Sequence, residues 1–281
     1  MSTLPRKETP KSGTLLHSNP ILSRLGKVTE RTETNTATYG GIASKTTYFL
    51  LMTLGGIVLQ LFVMSLLKAQ PVWQTIQIYK GFEVAITKPE VIIVGVTVLV
   101  GFISELIGIF VRRTVPVTGT IYAVSQGYVI SFLVFKALKG YEYLGLEALL
   151  LTVAVVAVMS WLYKAGIIKA NNKFHTILMS LVLGSIAFGV FSFLGNLIPF
   201  TRPYVQAMMQ NAWLAIGLDV LGLVIASLFL ISDFNVIDTC VQEGYPKDYE
   251  WYAAFGLVFT VLWIYLKILD LLVRLTGKNK N

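Results

Sequence analysis

W-L-A-I-G-L-D-V-L-G-L-V-I-A-S-L-F-L-I-S (213–232) and Y-A-A-F-G-L-V-F-T-V-L-W-I-Y-L-K-I-L-D-L-L-V-R-L (252–275) are two apolar runs, joined by an acidic connection that begins S-D-F-N-V-I-D (232–238). A helix needs about 20 apolar residues to cross the hydrocarbon core of a bilayer, and each run supplies them. The segment therefore reads as a transmembrane hairpin that carries ionisable groups where they are costly to bury.

The rest of the chain agrees with that reading. Its 281 residues are 55% hydrophobic and only 14% charged, with a mean hydropathy of +0.69. That is more apolar surface than one soluble domain can hide. The alternating segments of a membrane β-barrel are absent, so the expected fold is an all-α integral membrane protein with seven transmembrane helices. A net charge of +8 raises the question of nucleic acid. The Lys and Arg residues, however, fall in the tail and in loops between apolar runs, which excludes nucleic acid and points to the lipid bilayer as partner. One cysteine, Cys240, rules out an internal disulfide and every CxxC motif.

Residues 1–45 read as a polar, basic, cytoplasmic tail, predicted disordered, with a short interfacial turn at Ile21–Leu25. A seven-helix domain over 46–276 and a short polar end at 277–281 follow. The spans are expected near 47–67, 91–111, 117–135, 143–163, 174–194, 213–232 and 252–275, with 68–90 a polar loop anchored by Trp73 and Tyr79. Ser180, Gly184 and Gly189 would let a neighbouring helix approach the fifth span closely. With the N-terminus inside, that side holds seven basic residues in the tail. It also holds Arg112 and Arg113, then Lys164, Lys169 and Lys173, and finally Lys247, thirteen of the chain's twenty-three. This bias places the N-terminus in the cytoplasm, with the chain multi-pass in a plasma membrane.

Several polar groups inside the spans are candidates for function. Glu105 lies six residues before the end of the second span, about 9 Å inside it, and reads either as part of a structural ion pair or as part of an ion or proton path. Arg112 and Arg113 match the depth of Asp233 and Asp238, so a carboxylate–arginine latch between the second and sixth spans is expected. Asp233 and Asp238 stand about 140° apart on a helix, one facing the bundle and the other the loop. Glu243, Asp248 and Glu250 read as solvated loop charge, because the spacing of a dedicated calcium loop is missing. Asp219 and Lys267 fall at equal depth from the opposite boundary and are expected to pair, with Asp270 competing for the lysine. Gln126 reads as bundle-facing or pore-lining. His17 and His175 form no metal-ligand pair, no dedicated metal site or cofactor is expected, and no hydrolase, zinc-protease or nucleotide-binding motif occurs, so no enzyme is expected.

Five stretches carry a resemblance. They are S-N-P-I-L-S-R (18–24), E-L-I-G-I-F-V-R-R (105–113), V-T-G-T-I-Y-A-V-S-Q-G (117–127), S-D-F-N-V-I-D (232–238) and W-Y-A-A-F-G-L-V-F-T-V-L-W-I-Y-L-K-I-L (251–269). Together they resemble the Bax inhibitor-1 family and its bacterial YccA-like branch. The resemblance implies seven helices with the seventh central. It also implies a pH-sensitive calcium leak channel of a bacterial inner membrane, or else a non-conducting regulator of a partner such as a membrane-bound quality-control protease. It further implies that Glu105 matches the family's helix-2 glutamate, Arg112 or Arg113 its latching arginine, and Asp233 the first of its aspartate pair. Aligning L-V-R at 272–274 places Trp263 at the second aspartate position, leaving that pair incomplete.

Overall fold

The computed structural model describes residues 36–67, 70–79 and 82–278. The interfacial turn expected at Ile21–Leu25, most of the tail and the last three residues lie outside them. The chain forms α1 (Tyr39–Leu66), a hairpin of β1 (Gln74–Tyr79) and β2 (Phe82–Ile86), α2 (Lys88–Phe110) and α3 (Val115–Ser131). After α3 come α4 (Tyr143–Lys164), α5 (Asn172–Leu197), the short α6 (Arg202–Gln210), α7 (Ala212–Gln242) and α8 (Tyr249–Lys278). Among the described residues seven helical stretches are long and apolar enough to cross a membrane: α1, α2, α4, α5, α7 and α8, and α3 together with its flanking turns over Arg112–Ala137.

α1 begins at Tyr39, ahead of the start expected at Thr47, so Lys45 belongs to a helix and not to the tail. Thr38 caps it, accepting a hydrogen bond from the Gly41 N–H at 3.0 Å. The loop expected at 68–90 is instead a two-stranded antiparallel hairpin. In F-E-V-A-I the alternate residues Phe82, Val84 and Ile86 are buried, and the last two pack on Phe132, Leu133 and Ala137. Thr87 and Glu90 then form a capping box that starts α2. α3 is prolonged by a π-helical segment, Phe132–Ala137, and Gly140 (φ 85°) makes the turn into α4. The Gly140 N–H donates to Glu142 (2.9 Å), and this bond holds the Glu142 carboxyl below its ordinary range.

α8 packs against α7, α1, α4 and α3, and its Phe255 lies against Gly108 of α2. α3 and α8 are the two most buried spans and form the core of the bundle together. Glycine lets α1 and α3 cross at backbone distance. A Cβ on Gly127 would lie 1.9 Å from the Thr53 carbonyl oxygen, and one on Gly56 would lie 2.1 Å from that of Val124. The close approach expected at α5 does not occur, because nothing lies within 4 Å of a Cβ on Gly184 or Gly189. α5 is the least buried span and packs chiefly on α6 and α7. The expected helix 213–232 continues to Gln242, so S-D-F-N-V-I-D is helical and the turn is 243–248.

Because backbone limits the α1–α3 crossing, Gly127→Ala should lower stability by about 1–3 kcal/mol or more, whereas Gly184→Ala should leave it unchanged or slightly raised. Thermal melting of the two variants in detergent measures the contrast. Equal melting temperatures would show that the crossing does not limit the fold.

Candidate functional site

Asp233 lies nine residues before the end of α7, about 14 Å from it at 1.5 Å per residue. Its carboxylate turns toward α8. A Cβ on Gly256 would lie 3.6 Å from Oδ1, and Thr260 of α8 is close enough to act on the carboxylate. Oδ2 is enclosed and has no hydrogen-bond partner among the described residues. The carboxylate lines a cavity of ≈ 180 Å³ together with Ile109 of α2, Val236 of α7, and Tyr252, Phe255 and Phe259 of α8. Glu105 is four residues before Ile109 and so shares its helix face one turn deeper. It is half-buried, forms neither a hydrogen bond nor an ion pair with a described residue, and has Tyr122 of α3 as its electrostatic neighbour.

The arginine expected to latch Asp233 is engaged elsewhere. Arg112 Nη2 lies 3.1 Å from Asp248 Oδ2, and its guanidinium stacks 3.7 Å from the centre of the Tyr249 ring. Asp233 is too deep in the extended α7 to reach that layer, so the Arg112 ion pair joins α2 to the α7–α8 turn. Arg113 is exposed. In the same turn a hydrogen bond with Glu243 raises the phenol of Tyr245 above its usual range.

Glu250 is the largest departure from the expected solvated turn, being completely buried in the first turn of α8. Lys45 forms an ion pair with its Oε2, while the Thr38 N–H (2.9 Å) and hydroxyl (3.1 Å) donate to Oε1. Gly41 is required here, since a Cβ would sit 2.1 Å from Oε1. The Ala37 N–H donates to the Tyr245 carbonyl (2.7 Å), and Thr36 bridges to Pro246, so the start of α1 is fastened to the turn that leads into α8. A lysine just ahead of an apolar run hints at a partner, yet nothing local in the sequence names one 205 residues away.

Asp238 accepts hydrogen bonds from the hydroxyls of Tyr39 (3.0 Å) and Tyr163 (2.7 Å). At the hairpin end, Asp219 pairs with Arg274 (2.6 Å) and not with Lys267. The stem of Lys267 lies against Gly222, three residues beyond Asp219 on α7, while Asp270 lies 3.5 Å from Arg274. A second ion pair that the sequence did not suggest joins Glu90 of α2 to Lys136 of the π segment, at 2.8 Å. Gln126 is half-buried beside the glycine crossing and makes no hydrogen bond with a described residue. Trp263 packs on Phe229 and Phe259, whereas the α8 residues beside Asp233 are Gly256 and Thr260. Among the described residues, no three His, Cys, Asp or Glu side chains are grouped so as to hold a metal ion.

Seven apolar spans, a partly apolar cavity between three of them, and charges tied in pairs toward both ends define a multi-pass membrane protein with an ionisable interior. The model of the Bax inhibitor 1 like family matches residues 19–277, and the chain belongs to that family. No curated protein matches the sequence.

Two couplings follow from the pairs. Glu250→Ala leaves Lys45 uncompensated in a buried site and should cost about 3–5 kcal/mol, with Lys45→Met plus Glu250→Leu costing less than the sum of the single changes. Asp219 should likewise couple to Arg274 in a double-mutant cycle, and only weakly to Lys267. Melting in detergent provides both readings; an Asp219–Lys267 coupling as large as that of Asp219–Arg274 would contradict the observed pairing.

Proposed function

We propose that this protein is a passive, pH-sensitive cation leak channel, with calcium as permeant ion, of the YccA-like branch and seated in a bacterial inner membrane with its N-terminus in the cytoplasm. The observation that carries the reading is the carboxylate of Asp233, with one enclosed oxygen unpartnered at the wall of a cavity between α2, α7 and α8. A free carboxylate oxygen in a low-dielectric wall is costly unless a proton, water or a cation visits it, and intramembrane acids mark ion paths for that reason. Glu105, which forms no ion pair with a described residue, stands one turn from Ile109 of the cavity wall, toward the middle of the bundle. Arg112 on Asp248 and Tyr249, with Lys45 on Glu250, holds the turn over the cavity and acts as the closed latch.

A second reading is a non-conducting regulator that binds another membrane protein, such as a quality-control protease. It is favoured by α5, where Ser180 and Gly184 form an open small-residue face of the kind that packs against other membrane helices.

Calcium-loaded liposomes containing the purified chain test the two readings. The latch pair is about 35% and 47% exposed, so its loss is worth no more than about 1 kcal/mol, and Asp248→Asn should raise leak roughly two- to five-fold. Asp233→Ala should lower it toward the protein-free background. Well-folded protein that passes no calcium at any pH between about 5 and 8 would favour the regulator.

A further inference from the structure

We infer that the groove between the end of α4 and the start of α5 binds the phosphate group of an anionic phospholipid. The groove has a volume of ≈ 490 Å³ and is lined by Tyr163 and Lys164 of α4, by the connection 168–171, and by Asn235 and Asp238 of α7. α4 ends at Lys164 and α5 begins at Asn172, so the groove opens at the boundary of two spans. Headgroup phosphates occupy that layer of a bilayer, and basic pockets between spans bind them.

The lining suits an anion. Lys164 and Lys169 are exposed, and neither forms an ion pair with a described residue. Asn171, which lines the groove, accepts from the Phe174 N–H with its side-chain oxygen (2.8 Å), so its amide N–H groups remain available as donors and α5 begins beside the groove. Asn235 is half-buried and makes no hydrogen bond with a described residue. Asp238 is the carboxylate that opposes an anion, but its two oxygens already accept from Tyr39 and Tyr163, and the lysines outnumber it. A lipid is favoured over free phosphate by the flanks, where Trp161 and Ile167 are 63% and 62% exposed beside the groove and offer apolar surface to acyl chains. α5 has few neighbours in the bundle, so a lipid bridging the α4–α5 connection would brace it against α7.

Native mass spectrometry of the full chain in mild detergent tests this with three probes: phosphatidylglycerol, phosphatidylcholine and inorganic phosphate. Phosphatidylglycerol should bind more tightly than phosphatidylcholine. Lys164→Gln with Lys169→Gln should weaken it about 25-fold, at roughly five-fold per basic residue. Lys164→Arg with Lys169→Arg should preserve binding, and Lys139→Gln with Lys247→Gln, exposed lysines that do not line the groove, should leave it unchanged. Equal binding of the two lipids, or wild-type binding by the double glutamine variant, would overturn the site. Displacement of phosphatidylglycerol by millimolar inorganic phosphate would also overturn the lipid assignment, in favour of a soluble phosphate.

Discussion

Glu250 has no access to water, and the placement of α8 depends on how that carboxylate is satisfied. An unpaired buried charge costs several kcal/mol, so its two oxygens must meet a cation and donors. Lys45 and Thr38, both at the start of α1, provide them. Once the first turn of α8 is fixed there, helical geometry fixes the remainder at 1.5 Å per residue. Trp251 meets Tyr48 and Phe49, Phe255 meets Phe49 and Tyr122, and Gly256 and Thr260 arrive opposite Asp233. The site in the bundle thus inherits its geometry from an ion pair at the end of the bundle.

Charge elsewhere follows the same economy. Arg112 with Asp248 closes one end, while Glu90 with Lys136 and Asp219 with Arg274 occupy the other. Each pair joins two elements distant in sequence and lies where water can still solvate part of it. Asp233 and Glu105 lie within the spans and form no ion pair with a described residue; Asp233 lines the cavity, and Glu105 lies one turn from Ile109, which also lines it. In a family of multi-pass membrane proteins, an unbalanced acid at a cavity is the feature that packing alone does not explain.

The legibility of the sequence varied with the range of the physics. Span length, span number and the presence of a hairpin at 213–275 depend on local hydrophobicity and were readable. The F-E-V-A-I strand alternates with period two, but five residues inside a polar stretch are too few to separate a strand from a loop. The sequence points to an end of α7 ten residues before the observed one, since Asp233 and Asp238 resemble a helix exit. Tyr39 and Tyr163 satisfy the Asp238 side chain, and Asp233 turns toward Gly256 and Thr260 of α8, so the helix can run on.

The sequence by itself determined that this chain crosses a membrane seven times and that Asp233, Glu105 and Arg112 stand out as polar residues at or within the spans. Both follow from composition within a window of about 20 residues, because the bilayer imposes one length and one tolerance for charge on each helix. Only the tertiary structure decided the pairings: Arg112 with Asp248, Glu250 with Lys45, Asp219 with Arg274, and Thr260 in place of Trp263 beside Asp233. Depth along a helix restricts the possible partners, but its rotation and lateral neighbours select among them. Those are set by contacts such as Gly127 on Thr53 and Gly41 on Glu250, where a single missing Cβ lets two distant segments meet.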